Sequence, residues 1–180
     1  DLVRSRGLGD VYKRQSPLLT GGSGNPETTD RSPKGSSIGL IRMDAYLVDT
    51  NVLSESIRKK PDAKVISWLK RNEPNLFLST LSIGEIKFGI ERLEKGVRQR
   101  EYQVWLSGLT IRMKGRVLSF NRSVATVWGQ MLAECEKSGT VLPTIDGQIA
   151  ATAIRHGLIV ATRNGDYFRN AGVRTCNPFE

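Results

Sequence analysis

The sequence predicts an α/β fold in which a mainly parallel sheet of four to five strands is covered by helices on both faces. Three observations predict it. Short apolar runs of strand length recur along the chain, and segments with helical spacing of apolar residues lie between them. That alternation implies parallel strands joined by helical crossovers and buried on both sides. The chain has 180 residues, 38% hydrophobic and 25% charged, which suits one domain with a real core.

The elements follow in order. Tyr46–Val48 is a short apolar strand. Pro61 opens a helix through Lys70, with Val65, Ile66, Trp68 and Leu69 on its apolar side; proline suits a first turn. Asn75–Ser79 is a second strand. Ser82–Leu93 is helical, because Ile83, Ile86, Ile90 and Leu93 fall on one stripe. A longer helix covers Arg98–Met113, with Tyr102, Trp105, Leu106 and Leu109 inward. Val117–Phe120 is a third strand. Val124–Lys137 is a helix ended by Ser138-Gly139, and Ile145–His156 is an Ala-rich helix closed by Gly157. Leu158–Ala161 is a fourth strand and Val173–Thr175 a fifth.

Residues 1–42 differ from all of this. They carry 7 of the 18 glycines and little hydrophobic periodicity, so a disordered leader is expected there. Asp10–Gln15 reads DVYKRQ, which GAT GTG TAT AAG AGA CAG encodes; a translated sequencing adaptor is the expectation, with a genuine basic linker as its rival. Met43, directly before the first strand, is the expected start of a single domain over residues 43–180.

Composition narrows the chemistry. No apolar stretch approaches the roughly 18 residues of a membrane span, and no apolar core follows Arg4 and Arg6 as a signal peptide would require. Cys135 and Cys176 form neither a metal spacing nor a disulfide framework, which fits a reducing cytoplasm. With His156 as the single histidine, a zinc site or a Ser-His-Asp triad is hard to build; its place at a helix end suits the helix dipole. The net charge is +9, and residues 43–180 hold 20 Lys+Arg against 14 Asp+Glu, a balance that suits a polyanionic partner. No phosphate-cradling glycine loop follows a strand.

The acids carry the chemistry. Asp49 directly follows the first strand in AYLVDTNVLSE, Glu85 lies early in the helix after the second, and Asp146 opens the helix before the fourth. Asn164 and Asp166 follow the fourth strand in ATRNGDYF. Each has a plain reading by itself. Asp49 and Asp146 suit helix starts, Ser82 and Glu85 have capping-box spacing, and Asp166 suits a turn. Together they point elsewhere. In a doubly wound sheet the carboxyl ends of strands one, two and four meet at one crevice. Carboxylates gathered there would repel one another unless a divalent cation joined them. All-oxygen ligation suits Mg2+ or Mn2+, which would activate water for an in-line displacement at phosphorus.

At these residues the chain resembles the PIN-domain ribonucleases, specifically the VapC-type toxins of toxin–antitoxin pairs. The likeness rests on LVDTNVLSE, the GE of SIGEIKFGIERL, PTIDGQIAATAIRHGL, VATRN and the closing NPF, and it spans residues 43–180. It implies a PIN-like three-layer α/β/α sandwich and Mg2+-dependent cleavage of RNA. Its acidic cluster maps onto Asp49, Glu85 and Asp146, with Asn164 at the fourth position, where many relatives carry Asp. Asp166 is the substitute two residues on. Thr50, Asn51 and Thr162 match the supporting polar positions. The resemblance also implies an antitoxin partner and a homodimer. The apolar excess on the helix holding Val65 and on the next helix reads as a dimer face or as core. Arg163, Arg155, Lys87 and Arg92 are candidate contacts to the RNA backbone. The rival readings are a catalytically impaired PIN-fold binding module, a haloacid-dehalogenase-type phosphatase and a receiver-like signalling module. The phosphatase needs an acid where Asn51 stands, and the receiver needs a lysine where Arg163 stands.

Overall fold

A computed structural model describes residues 44–180, so the expectations for residues 1–42 and for a start at Met43 lie outside the described residues. The elements are β1 (Tyr46–Val48), α1 (Thr50–Leu53), α2 (Ala63–Asn72), β2 (Leu76–Ser79), α3 (Thr80–Glu91), α4 (Val97–Arg112), β3 (Val117–Leu118), α5 (Arg122–Lys137), α6 (Thr144–His156), β4 (Ile159–Ala161), α7 (Gly165–Asn170) and β5 (Thr175–Cys176). Single 3-10 turns cover Ser54–Ile57 and Glu73–Asn75.

The strands pair in the order β3-β2-β1-β4-β5, and every pairing is parallel. Chain order therefore runs outward from β1 in one direction through β2 and β3, then jumps to β4 on the other side. The reversal falls between β1 and β4, the place where doubly wound sheets open a crevice at the strands' carboxyl ends.

The strand pattern explains the layers. Successive residues of a strand point to opposite faces. Leu47 enters a core with Val124 and Met131 of α5, Ile149 of α6 and Phe168 of α7. Its neighbour Val48 enters the opposite core with Val65 of α2, Ile86 and Ile90 of α3 and Leu106 of α4. Both strand residues are fully buried, so Leu47→Ala should cost about 2–5 kcal/mol. The structure is the expected three-layer α/β/α sandwich. Trp68, Trp105 and Trp128 all pack against these cores, as their helical stripes predict.

Several boundaries moved for local reasons. α2 begins at Ala63 because the Asp62 side chain caps it through the Lys64 N–H. α3 begins at Thr80, capped by Ser79, so Ser82 and Glu85 form no capping box and Glu85 lies in the second turn. α5 starts earlier than expected, capped by Asn121. α6 ends on Gly157 in the left-handed region, at φ 67°, as a glycine after a helix suggests. α1 and α7 escaped the sequence reading because four and six residues carry too little helical period to detect.

Candidate active site

The parallel register places the first acid. β1 and β4 run side by side with Val48 opposite Ala161, and the Asp49 N–H extends that ladder to the Ala161 carbonyl at 3.0 Å. Asp49 and Thr162 are thereby brought together as the first residues beyond two adjacent strands.

Asp49 is 7% exposed and held by three hydrogen bonds. Its Oδ1 accepts from the Thr50 N–H at 2.7 Å. Its Oδ2 accepts from Asn51 Nδ2 at 2.5 Å and from Thr162 Oγ1 at 2.7 Å. A carboxylate offers about four lone-pair sites, so one on Oδ1 is left for a ligand. Burial pushes the Asp49 carboxyl above the usual range, and the bonds from Thr162, Thr50 and Asn51 pull it back. Capping is thus one part of what Asp49 does, since Asp49 also stands at the start of α1.

The supporting residues form a closed network. Asn51 Nδ2 donates to Thr162 Oγ1 at 3.0 Å, and Asn51 Oδ1 accepts from the Arg163 N–H at 3.1 Å. The Asn164 N–H donates to Thr162 Oγ1 at 3.0 Å. Thr50 Oγ1 donates to Glu85 Oε2 at 2.7 Å, so one residue ties together the first and second acids.

Asp146 sits in the first turn of α6 and makes no side-chain cap bond there. Its carboxyl is raised by burial, then by the negative charges of Asp49 and Glu85. Asp146 therefore stands within electrostatic reach of Asp49 and Glu85. Among the described residues, no three acidic, histidine or cysteine side chains are gathered tightly enough to enclose an ion by themselves. Magnesium keeps several waters and takes one or two protein carboxylates, so an all-oxygen set with a free lone pair on Asp49 suits it in kind.

The fourth position is different. Asn164 is exposed at the start of α7, with its backbone N–H in the network and no cap bond from its side chain. Asp166 is exposed and pairs with Arg169 on the same helix. Asp166 is not among the charges that raise the Asp146 carboxyl. Of the four cationic candidates, Lys87 pairs with Glu91, Arg92 lies over the Phe88 ring, and Arg163 is engaged by Glu55 and Phe179. Arg155 is exposed in the last turn of α6. Glu55 is the residue that sequence reasoning missed. It stood inside the quoted motif, but its burial, at 2% exposure, is visible only in the fold.

Comparison with known proteins bears on the family and the fold. The PIN domain family model matches residues 46–173. A VapC ribonuclease of Sinorhizobium fredii is 36% identical over 74% of this chain and 97% of its own length. Toxin FitB of Neisseria gonorrhoeae is 33% identical over 74% of this chain and 97% of its own length. The crystal structure of FitAcB from Neisseria gonorrhoeae superposes with a TM-score of 0.72 at 33% identity, covering 75% of this chain and 99% of that one. DNA-bound VapBC from Salmonella typhimurium superposes with a TM-score of 0.65 at 26% identity, covering 76% and 99%. With its switch-point acids, its parallel five-stranded sheet and these likenesses, the chain belongs to the PIN-domain family and, within it, to the VapC-type proteins.

Proposed function

We propose that the protein is a ribonuclease that hydrolyses RNA phosphodiester bonds with Mg2+ or Mn2+ and acts as the toxin of a toxin–antitoxin pair. The observation that carries the reading is the geometry around Asp49, whose Oδ1 keeps a lone pair open while Thr50 bridges Asp49 to Glu85, with Asp146 beside them raised by burial and then by both of their charges. Three acids under mutual repulsion are a costly arrangement for a structural cap and a useful one for a cation site. Asp49 and Asp146 would hold the ion, with Glu85 beside them. When bound, it would supply a nucleophilic water and neutralise charge on the phosphate.

The chain's own residues do the positioning. Thr50 fixes Glu85 relative to Asp49 through its hydroxyl and its amide. Asn51 and Thr162 both donate to Oδ2 of Asp49, which leaves Oδ1 with its remaining lone pair. Asn164 offers an amide oxygen at the fourth position, able to orient water without adding charge. The basic balance favours the RNA backbone sequence-independently.

The partners extend this reading. The likeness to Toxin FitB and to the FitAcB and VapBC structures supports an antitoxin partner for this chain. The apolar stripe of α2 goes into the core through Val65, Trp68 and Leu69, so a homodimer is supported instead by apolar side chains left exposed on α3 and α4, namely Phe88, Val104 and Ile111. Cytoplasmic location is in keeping with two unbridged cysteines. Among the described residues no helix is long and apolar enough to cross a membrane.

The test is RNA cleavage by the full chain, wild type against Asp49→Asn, with Mg2+, Mn2+ and EDTA. Cleavage that EDTA stops and the substitution abolishes supports the enzyme. Equal cleavage by both proteins refutes it. One observation favours a second reading, that of an impaired binding module: Asn164, at the fourth position of the resemblance, is an exposed neutral amide with no cap bond from its side chain. RNA binding without cleavage, with cleavage appearing in Asn164→Asp, would establish that reading instead.

A further inference from the structure

Arg163 is held in an unusual way. Its backbone lies between Thr162 and Asn164, and its N–H donates to Asn51 Oδ1 at 3.1 Å. Its guanidinium sits 3.7 Å from the centre of the Phe179 ring and 3.6 Å from Glu55 Oε2. Glu55 is 2% exposed, its Oε1 accepts from the Asp62 N–H at 3.0 Å, and its Oε2 has no hydrogen-bond partner. A buried carboxylate persists only if compensated, and the charges near it are Arg163 and Arg58, the latter at 3.3 Å. Phe179 is itself placed by the sheet. β5 pairs with β4, the Thr162 N–H donates to the Cys176 carbonyl at 3.0 Å, and the Phe179 N–H then donates to Asn177 Oδ1 at 3.2 Å.

We propose that Glu55 and Phe179 clamp Arg163 as positioning residues for the reaction. They pin the loop of Thr162, Arg163 and Asn164 so that Thr162 and Asn51 hold Asp49 in its productive orientation. The NPF segment after β5 is then a working part of the active site although it touches no acid. A guanidinium pressed on an aromatic face and paired with a buried carboxylate has lost much of its freedom to follow an RNA strand. The clamp therefore acts on turnover and not on substrate affinity.

The catalytic half of this proposal rests on the nuclease reading, whereas the clamp itself can be read without activity. The experiment uses the full chain with Phe179→Leu, Phe179→Trp and Glu55→Gln. Amide hydrogen exchange reports the Arg163 and Asn164 N–H groups, and steady-state cleavage at several salt concentrations reports kcat and KM. The expected result is faster exchange at both amides in Phe179→Leu and Glu55→Gln. With it, kcat falls roughly 10- to 100-fold, KM changes little and the salt dependence is unaltered. Phe179→Trp, which keeps an aromatic face, restores both readouts. Unchanged exchange in folded Phe179→Leu and Glu55→Gln overturns the clamp. Faster exchange with unchanged kcat overturns its role in the reaction. A raised KM with a shallower salt dependence overturns it in favour of Arg163 as a backbone contact. If the wild type cleaves nothing, the nuclease reading fails, and the exchange data alone still decide whether the clamp exists.

Discussion

Asp49 has two flanks, and they are built oppositely. On one side Thr50, Asn51 and Thr162 supply hydrogen-bond donors at 2.5–2.7 Å. On the other side stand Glu85, tied to Asp49 through Thr50, and Asp146, whose carboxyl is raised by burial and then by the charges of Asp49 and Glu85. The donor flank stabilises the ionised Asp49 against its burial, and on the acidic flank burial and then the charges of Asp49 and Glu85 disfavour ionisation of Asp146. A site that only closed a helix end would need the first flank alone. The first flank holds Asp49 in place, so rotation of its side chain does not relax the crowding; under the proposed function a bound cation would relieve it.

The sharpest way to break this contrast is to neutralise the acidic flank. Asp146→Asn should remove a ligand worth several kcal/mol of transition-state stabilisation, on the order of a thousandfold in cleavage rate, while raising the melting temperature. Loss of activity with loss of stability would mean that Asp146 is a structural group. On the donor flank both readouts should fall together. Thr162→Val removes the hydroxyl that bonds Asp49, Asn51 and the Asn164 N–H, which should cost about 1–3 kcal/mol in denaturant unfolding and also slow cleavage.

A pH series sharpens the same contrast. The folded carboxyls of Asp49 and Asp146 are raised above their ordinary values. The folded protein therefore holds protons that the unfolded chain has released, and stability should fall as pH rises from the ordinary carboxylate range through the raised values. Mg2+ should restore stability above that window and do little below it, because protonated carboxyls are poor ligands. Melting curves with and without Mg2+ across that range check this, and a Mg2+ effect equal at every pH would contradict it. The smallest effect belongs to Asp166, which lies outside both flanks and pairs with Arg169 on the surface. Asp166→Ala should leave cleavage within about twofold and stability within about 0.5 kcal/mol. A large loss of cleavage would return Asp166 to the fourth position.

Particular residues show what was legible in the chain. The apolar runs at Tyr46–Val48 and Leu158–Ala161 announce buried parallel strands, since few other structures bury both faces of so short a segment. Asp49, Glu85 and Asp146 are visible because each stands at the edge of such an element. Glu55 and Arg163 were not visible as a pair. A glutamate after an apolar run reads as a surface residue until the fold buries it. The helix over Gly165–Asn170 was hidden by the turn-like Asn164-Gly165-Asp166, whose preferences suit a loop as well as a helix start.

The sequence by itself determined the α/β/α layering and the parallel sheet, and named three acids as site candidates, because these follow from local apolar period and from residue type. Only the tertiary structure decided which oxygen of Asp49 stays open, that Thr162 supports it across 113 residues of chain, and that Glu55 and Phe179 meet on Arg163. Those arrangements depend on strand register and side-chain direction. The register of β1 against β4 is set by the packing of two cores at once, and no single stretch of sequence contains it.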